Sequence, residues 1–153
     1  MKIDTIITLL LVLALGACGS KSQKTEKQHA EQTAEAVETK SEIQQNHPGK
    51  KVYNSVCLAC HMADGSGVPG MHPPLIETEW VNGDKERLIK ITLEGISGKL
   101  EVDGEQYNSI MPPHSHLSNK QIADVLTYIR GSFGNSANEI TPEEVQEVRN
   151  SIE

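Results

Sequence analysis

Cys57, Cys60 and His61 stand in the run Cys57-Leu58-Ala59-Cys60-His61, a C-x-x-C-H whose chemistry follows from its spacing. Pro48-Gly49 break the chain ahead of it, and Val52, Tyr53, Val56, Cys57 and Cys60 then recur at helical intervals as far as Asp64-Gly65. Residues three apart share a helix face, so both thiols point the same way. Two such thiols can add to the two vinyl groups along one edge of a porphyrin, and His61 then falls under the iron as its proximal ligand. The spacing therefore predicts covalent attachment of one c-type haem. Other uses of the pair fit less well. A thioredoxin-type couple wants a βαβ context that is not visible here, and a structural zinc site wants further ligands, whereas the third cysteine, Cys18, lies beyond a long polar stretch.

A sixth iron ligand must come from far along the chain, because neighbours of His61 cannot cross to the other face of the ring. Met62 and Met71 lie close to His61 and read as loop or surface residues. Met111 lies 50 residues downstream and is followed by Pro112-Pro113, which remove two backbone donors and hold the chain extended. As a plain core methionine it would also be unremarkable. His72, His114 and His116 read as solvated loop residues, and a bis-histidine haem, of lower reduction potential, is the minor alternative.

The elements that must position these groups are legible from caps and turns. Asp84 can cap a helix carrying Leu88, Ile91 and Thr92 on one face, with Gly95 at its end. Leu100 and Val102 flank Asp103-Gly104, a turn signal that suggests a small hairpin leading to Tyr107. Ser118 and Gln121 form a capping box ahead of Ile122, Val125, Leu126 and Ile129, stopped by Gly131. Thr141-Pro142 starts one more short helix, whose packing is expected to be weak.

From Pro48 to about Gly134 the chain resembles the class I cytochrome c family. The residues that carry the resemblance are Tyr53, Cys57-x-x-Cys60-His61, Asp64-Gly65-x-Gly67, Pro73-Pro74-Leu75, Trp80-Val81, Tyr107-Asn108-x-x-Met111-Pro112 and Leu126-Thr127-Tyr128-Ile129-Arg130. It looks most like the small bacterial cytochromes that accompany, or are fused to, periplasmic quinoprotein dehydrogenases and haem-copper oxidases. The resemblance implies an all-α fold, three to five helices around one haem, with the small hairpin near Val102 and Tyr107. It implies that Met111 is the distal iron ligand opposite His61 and that the Pro73 carbonyl accepts the other ring proton of His61. It places Trp80, Tyr107 and Asn108 near the haem propionates or the methionine ligand, although a buried ring satisfying its own polar atom explains them almost as well. The implied function is a one-electron carrier, not an enzyme, running between a dehydrogenase or quinol-oxidising complex and a terminal acceptor or oxidase. A dedicated cytochrome subunit of a quinoprotein dehydrogenase or oxidase complex is the alternative, and a haem enzyme or sensor with an opening sixth site is a more distant one.

The N-terminus reads as an address. Lys2, the apolar stretch from Ile6 to Leu15 and Leu15-Gly16-Ala17-Cys18 have the layout of a secretory signal. The apolar run is about half of the roughly 20 residues that span a bilayer. Leu-Gly-Ala-Cys resembles the lipobox of bacterial lipoproteins, which implies a signal peptide over 1–17 and diacylation of Cys18. The expected location is outside the cytoplasm, anchored by lipid to a bacterial membrane, with the haem domain facing the periplasm or cell exterior. Gly19 to His47 are mostly Lys, Gln, Glu, Thr, Ser and Ala, too polar to offset the entropy of ordering, so 18–47 read as lipidated cysteine and disordered tether. The cytochrome domain is expected over 48–136 and a short helical extension over 137–153.

Composition agrees with this division. Fourteen Lys and Arg against 21 Asp and Glu give −7, the wrong sign for gripping nucleic acid through its phosphates, so redox-partner proteins and a membrane are the expected partners. Five aromatic residues are few for a core of this size, and a haem would supply the missing flat apolar surface.

Overall fold

A computed structural model describes residues 46–152. The expected signal peptide, Cys18 and nearly all of the tether lie outside the described residues.

Helix α1 (Pro48–Val52) starts as the sequence dictates: Pro48 occupies the first turn, and His47 caps it with Nδ1 accepting from the Gly49 N–H at 3.1 Å. The helix runs on through a π turn (Tyr53–Cys57) into α2 (Leu58–His61). It ends at His61 instead of continuing to Asp64-Gly65. Met62 breaks it with φ 63° and ψ 167°, a region that non-glycine residues enter at a cost of about 1–3 kcal/mol. The break is held because the Tyr53 hydroxyl donates to the Met62 carbonyl at 2.6 Å.

Helix α3 (Glu79–Asn82) is capped by the Thr78 hydroxyl, and α4 (Lys85–Glu94) by the Asp84 carboxylate, which accepts from the Arg87 N–H at 2.7 Å. Such caps contribute about 1 kcal/mol each. After Gly95 the chain forms a two-stranded antiparallel sheet, β1 (Ile96–Val102) and β2 (Glu105–Met111), in register from Ile96 opposite Met111 to Val102 opposite Glu105. Asp103 and Gly104 both have positive φ, 51° and 84°, as a two-residue hairpin turn of right-handed twist requires. The hairpin is thus longer than its turn signal suggested, and its last residue is Met111.

Helix α5 (Asn119–Gly131) begins with the Ser118/Gln121 capping box and buries Ile122, Val125, Leu126 and Ile129. It crosses α1 at Gly49, where a Cβ would lie only 1.9 Å from the Asp124 carbonyl oxygen. Tyr53 packs beside Tyr128 and Phe133, with ring centroids 5.7 and 5.3 Å away. Beyond α5, Asn135 uses both halves of its amide: Nδ2 donates to the Leu75 and Ile129 carbonyls while Oδ1 accepts from Glu77 N–H and Asn82 Nδ2. Arg130, also buried, donates to the carbonyls of Val81, Gly83 and Asn138.

Helix α6 (Pro142–Ile152) departs from expectation, because it is part of the core and not a weakly packed appendage. Val145 is fully buried, with Ile140 and Val148 beside it. The apolar residues number few but share one face, which lies against α4 and α5. Lys85 of α4 closes the contact on Glu144 at 2.7 Å.

Candidate haem-binding site

An open cleft lies between the α1–α2 segment and the hairpin. One wall carries Cys57, Cys60 and His61, and Met111 also lines it. Leu75, Leu88, Ile91, Ile96 and Leu100 line it too, each only half-buried although apolar. Leaving such surface wet costs about 25 cal/mol per Å², so the cleft favours a large apolar occupant.

The chemistry of the wall suits that occupant. Both thiols are free rather than joined to each other. Burial, and secondarily the neighbouring Cys60, push the Cys57 thiol up to about 11. Burial likewise holds His61 below its ordinary pKa, with the Pro73 carbonyl opposing the shift, so the imidazole is neutral near pH 7. Nδ1 of His61 is 3.0 Å from the Pro73 carbonyl oxygen. A carbonyl can only accept, so this contact places the proton on Nδ1 and leaves the Nε2 lone pair for a metal. Gly67 lies behind Pro73: with φ 65°, a Cβ there would sit 2.6 Å from the Pro73 oxygen.

Gly95 has the matching place behind Met111. Its φ is 74°, and a Cβ would lie 2.4 Å from the Met111 carbonyl oxygen. Met62 and Met71 are exposed and absent from the cleft wall, which leaves Met111 as the thioether there among the described residues. His114 corrects the reading of a solvated loop histidine, since it is buried, lines the cleft, and its N–H donates to the Thr92 carbonyl at 3.0 Å. His72 also lines the cleft.

Trp80 and Tyr107 both line the cleft. The Trp80 indole donates to the Glu101 carbonyl at 3.1 Å, while the Arg87 guanidinium lies 4.7 Å over its ring. Asn108 does not join them: it is exposed and off the cleft wall, because successive strand residues face opposite sides and Tyr107 takes the inward one. What sequence reasoning missed is the close packing of Gly67 behind Pro73 and of Gly95 behind Met111, and the burial of His114 in the cleft. Glycine next to a turn was the available signal, but the neighbour each glycine admits belongs to the tertiary fold.

Comparison with known proteins gives this geometry a context. A family model described as Cytochrome c matches residues 47–133. The chain belongs to the cytochrome c family. Among its relatives, cytochrome c-552 of Thermus thermophilus is 36% identical over 110 residues, covering 66% of this chain and 83% of that protein. The cytochrome c subunit of the quinone alcohol dehydrogenase of Gluconobacter oxydans (strain 621H) is 32% identical over 109 residues, covering 69% of this chain but 22% of the subunit. The gluconate 2-dehydrogenase cytochrome c subunit of Pantoea cypripedii is 37% identical over 109 residues, 66% of this chain and 24% of the subunit.

As a cytochrome c the protein carries a c-type haem bound covalently through Cys57 and Cys60, and it works as an electron carrier. The residues present fit that group: paired thiols, a neutral imidazole with a fixed tautomer, and apolar walls that lack other cover. The haem supplies a one-electron iron(II)/iron(III) couple. The chain's part is to hold His61 in one orientation through Pro73, and the hairpin residues that line the cleft would cover part of a bound haem. Among the described residues, no helix is long and apolar enough to cross a membrane.

Proposed function

We propose that this cytochrome is an exported, lipid-anchored one-electron carrier with His61 and Met111 as axial ligands and no catalysis of its own. It passes electrons from a dehydrogenase or quinol-oxidising complex to a terminal acceptor or oxidase. The observation that carries the reading is the cleft itself, with His61 poised by Pro73 on one wall and a lining in which Met111 is the one thioether among the described residues. Two permanent ligands keep the iron coordinatively full in both oxidation states, so little rearranges on transfer and no open position is left for substrate.

The anchor rests on the Leu15-Gly16-Ala17-Cys18 run, and the polar stretch after it would give a coil of roughly 30 Å, able to stretch to about 100 Å. Multiple acyl chains on Cys18 hold a protein durably at a membrane, and the tether raises the haem domain's concentration near partners there. Redox-partner proteins are its ligands; nucleic acid is not. A second reading, a dedicated subunit of a quinoprotein dehydrogenase or oxidase complex, is favoured by the names of the dehydrogenase subunits it resembles, of which the chain spans about a quarter.

Fractionating cells that express the wild type and Cys18→Ser tests the anchor. Release of a red, intact cytochrome by the substitution is expected, whereas wild-type protein already free outside the cytoplasm would sink it. Absorption spectra of the reduced protein with and without carbon monoxide test the full coordination sphere. Purification with or without a stoichiometric partner separates shuttle from subunit.

A further inference from the structure

Helix α6 does more than cover the core. Between Met111 and the Ser118 cap of α5, residues 112–117 form neither helix nor strand. Pro112 and Pro113 have no N–H to give, so the first part of the segment relies on partners outside it. Gly95 abuts its start, and the Thr92 carbonyl accepts from His114 N–H. The far half closes one turn of its own, Leu117 N–H donating to the His114 carbonyl at 3.0 Å, and is otherwise held by a side chain of α6. Arg149 donates from Nη1 to the Ser115 carbonyl, from Nη2 to the Leu117 carbonyl and from Nε to Asn119 Oδ1, each at 3.0 Å. Asn119 is itself tied to α6 by Gln146 at 2.6 Å.

We propose that Arg149 is a positioning residue for the sixth haem ligand, clamping the segment that descends from Met111 so that the thioether cannot swing out of the cleft. The inference rests on Met111 being that ligand. Arg149 suits the task because its planar fork reaches three acceptors at once, and hydrogen bonds from a charged donor are roughly twice as strong as neutral ones. Leu117 transmits the clamp inward, since it lines the cleft and belongs to the buried core. A tie of α6 elsewhere, Glu144 to Lys85, joins α4 and touches nothing in the 112–117 segment. It therefore separates loss of the clamp from general loosening of the helix.

The experiment uses the haem-loaded protein as wild type, Arg149→Ala, Arg149→Lys and Glu144→Gln. In each oxidised form, the weak near-infrared band of a methionine–iron(III) bond is recorded and the affinity for added imidazole is measured at constant helix content. The wild type should show the band. Arg149→Ala should bind imidazole about tenfold more tightly, equivalent to about 1.4 kcal/mol. Arg149→Lys should fall between, because one ammonium cannot span three acceptors, and Glu144→Gln should match the wild type. Imidazole affinity in Arg149→Ala equal to that of the wild type or of Glu144→Gln would overturn the clamp. Absence of the band from the wild type would instead overturn Met111 as ligand.

Discussion

The Nδ1 atom of His61 faces the main-chain oxygen of Pro73 at 3.0 Å, and Gly67 leaves that oxygen room to stand there. The ring of the proposed proximal ligand is thus steered by a backbone group 12 residues on. The acceptor is a neutral carbonyl, which fixes the proton on Nδ1 without bringing a titrating group of its own.

Replacing Met111 with alanine should abolish the near-infrared band of the oxidised protein and let carbon monoxide bind the reduced one. The apolar cleft and the His61–Pro73 bond should survive, so haem content is expected to be unchanged. An intact spectrum in Met111→Ala, together with a change in His114→Ala, would reassign the distal ligand to the histidine that lines the same cleft.

Gly95→Ala puts a Cβ 2.4 Å from the Met111 carbonyl oxygen at a φ of 74°. The resulting strain should lower stability by about 1–3 kcal/mol and disturb the methionine–iron bond. Denaturant unfolding of the haem-loaded protein measures the first effect, and a wild-type midpoint would contradict the close packing described.

Glu144 sits below the usual carboxylate range, chiefly because Lys85 donates to it and then because the Thr141 N–H does. A depressed folded-state pKa contributes stability above the unfolded value of that carboxyl and loses it as pH falls through the folded one. Thermal midpoints should therefore drop with acidification below the ordinary glutamate range, and less steeply in Glu144→Gln. Parallel acid limbs for the two proteins would show that the Lys85 contact carries no pH dependence.

From Pro48 onward nine Lys and Arg face fifteen Asp and Glu, a net of −6. A partner that docks productively should present a basic or largely apolar surface, so electron-transfer rates are expected to fall or stay level as salt rises. Stopped-flow rates that climb steadily with ionic strength would mean that two acidic surfaces were meeting.

Much of this was written locally. The C-x-x-C-H run, the Asp84 and Ser118 caps and the Asp103-Gly104 turn each depend on residues within a few positions of one another, and each forms where the sequence puts it. The hairpin's length was not legible, because Ser97, Gly98 and Lys99 pair with Ile110, Ser109 and Asn108 in strands that lack a sustained apolar alternation. The outward position of Asn108 was not legible for the same reason: without the register, nothing said which of two adjacent residues faced inward. Helix α6 hid its role because Val145 and Val148 sit among carboxylates, and its burial needs the surfaces of α4 and α5. The π turn at Tyr53–Cys57 left no mark in the residue pattern at all.

The two-stranded sheet bears on what a haem would do for the fold. Two strands alone are marginal in water, and the inward side of this pair, from Ile96 and Leu100 to Tyr107, faces the cleft and not another strand. The segment bearing the thiols is built differently, since Tyr53 anchors it into the aromatic cluster with Tyr128 of α5 and neighbouring Phe133. A bound haem would therefore give this side of the sheet the apolar cover that no further strand supplies among the described residues.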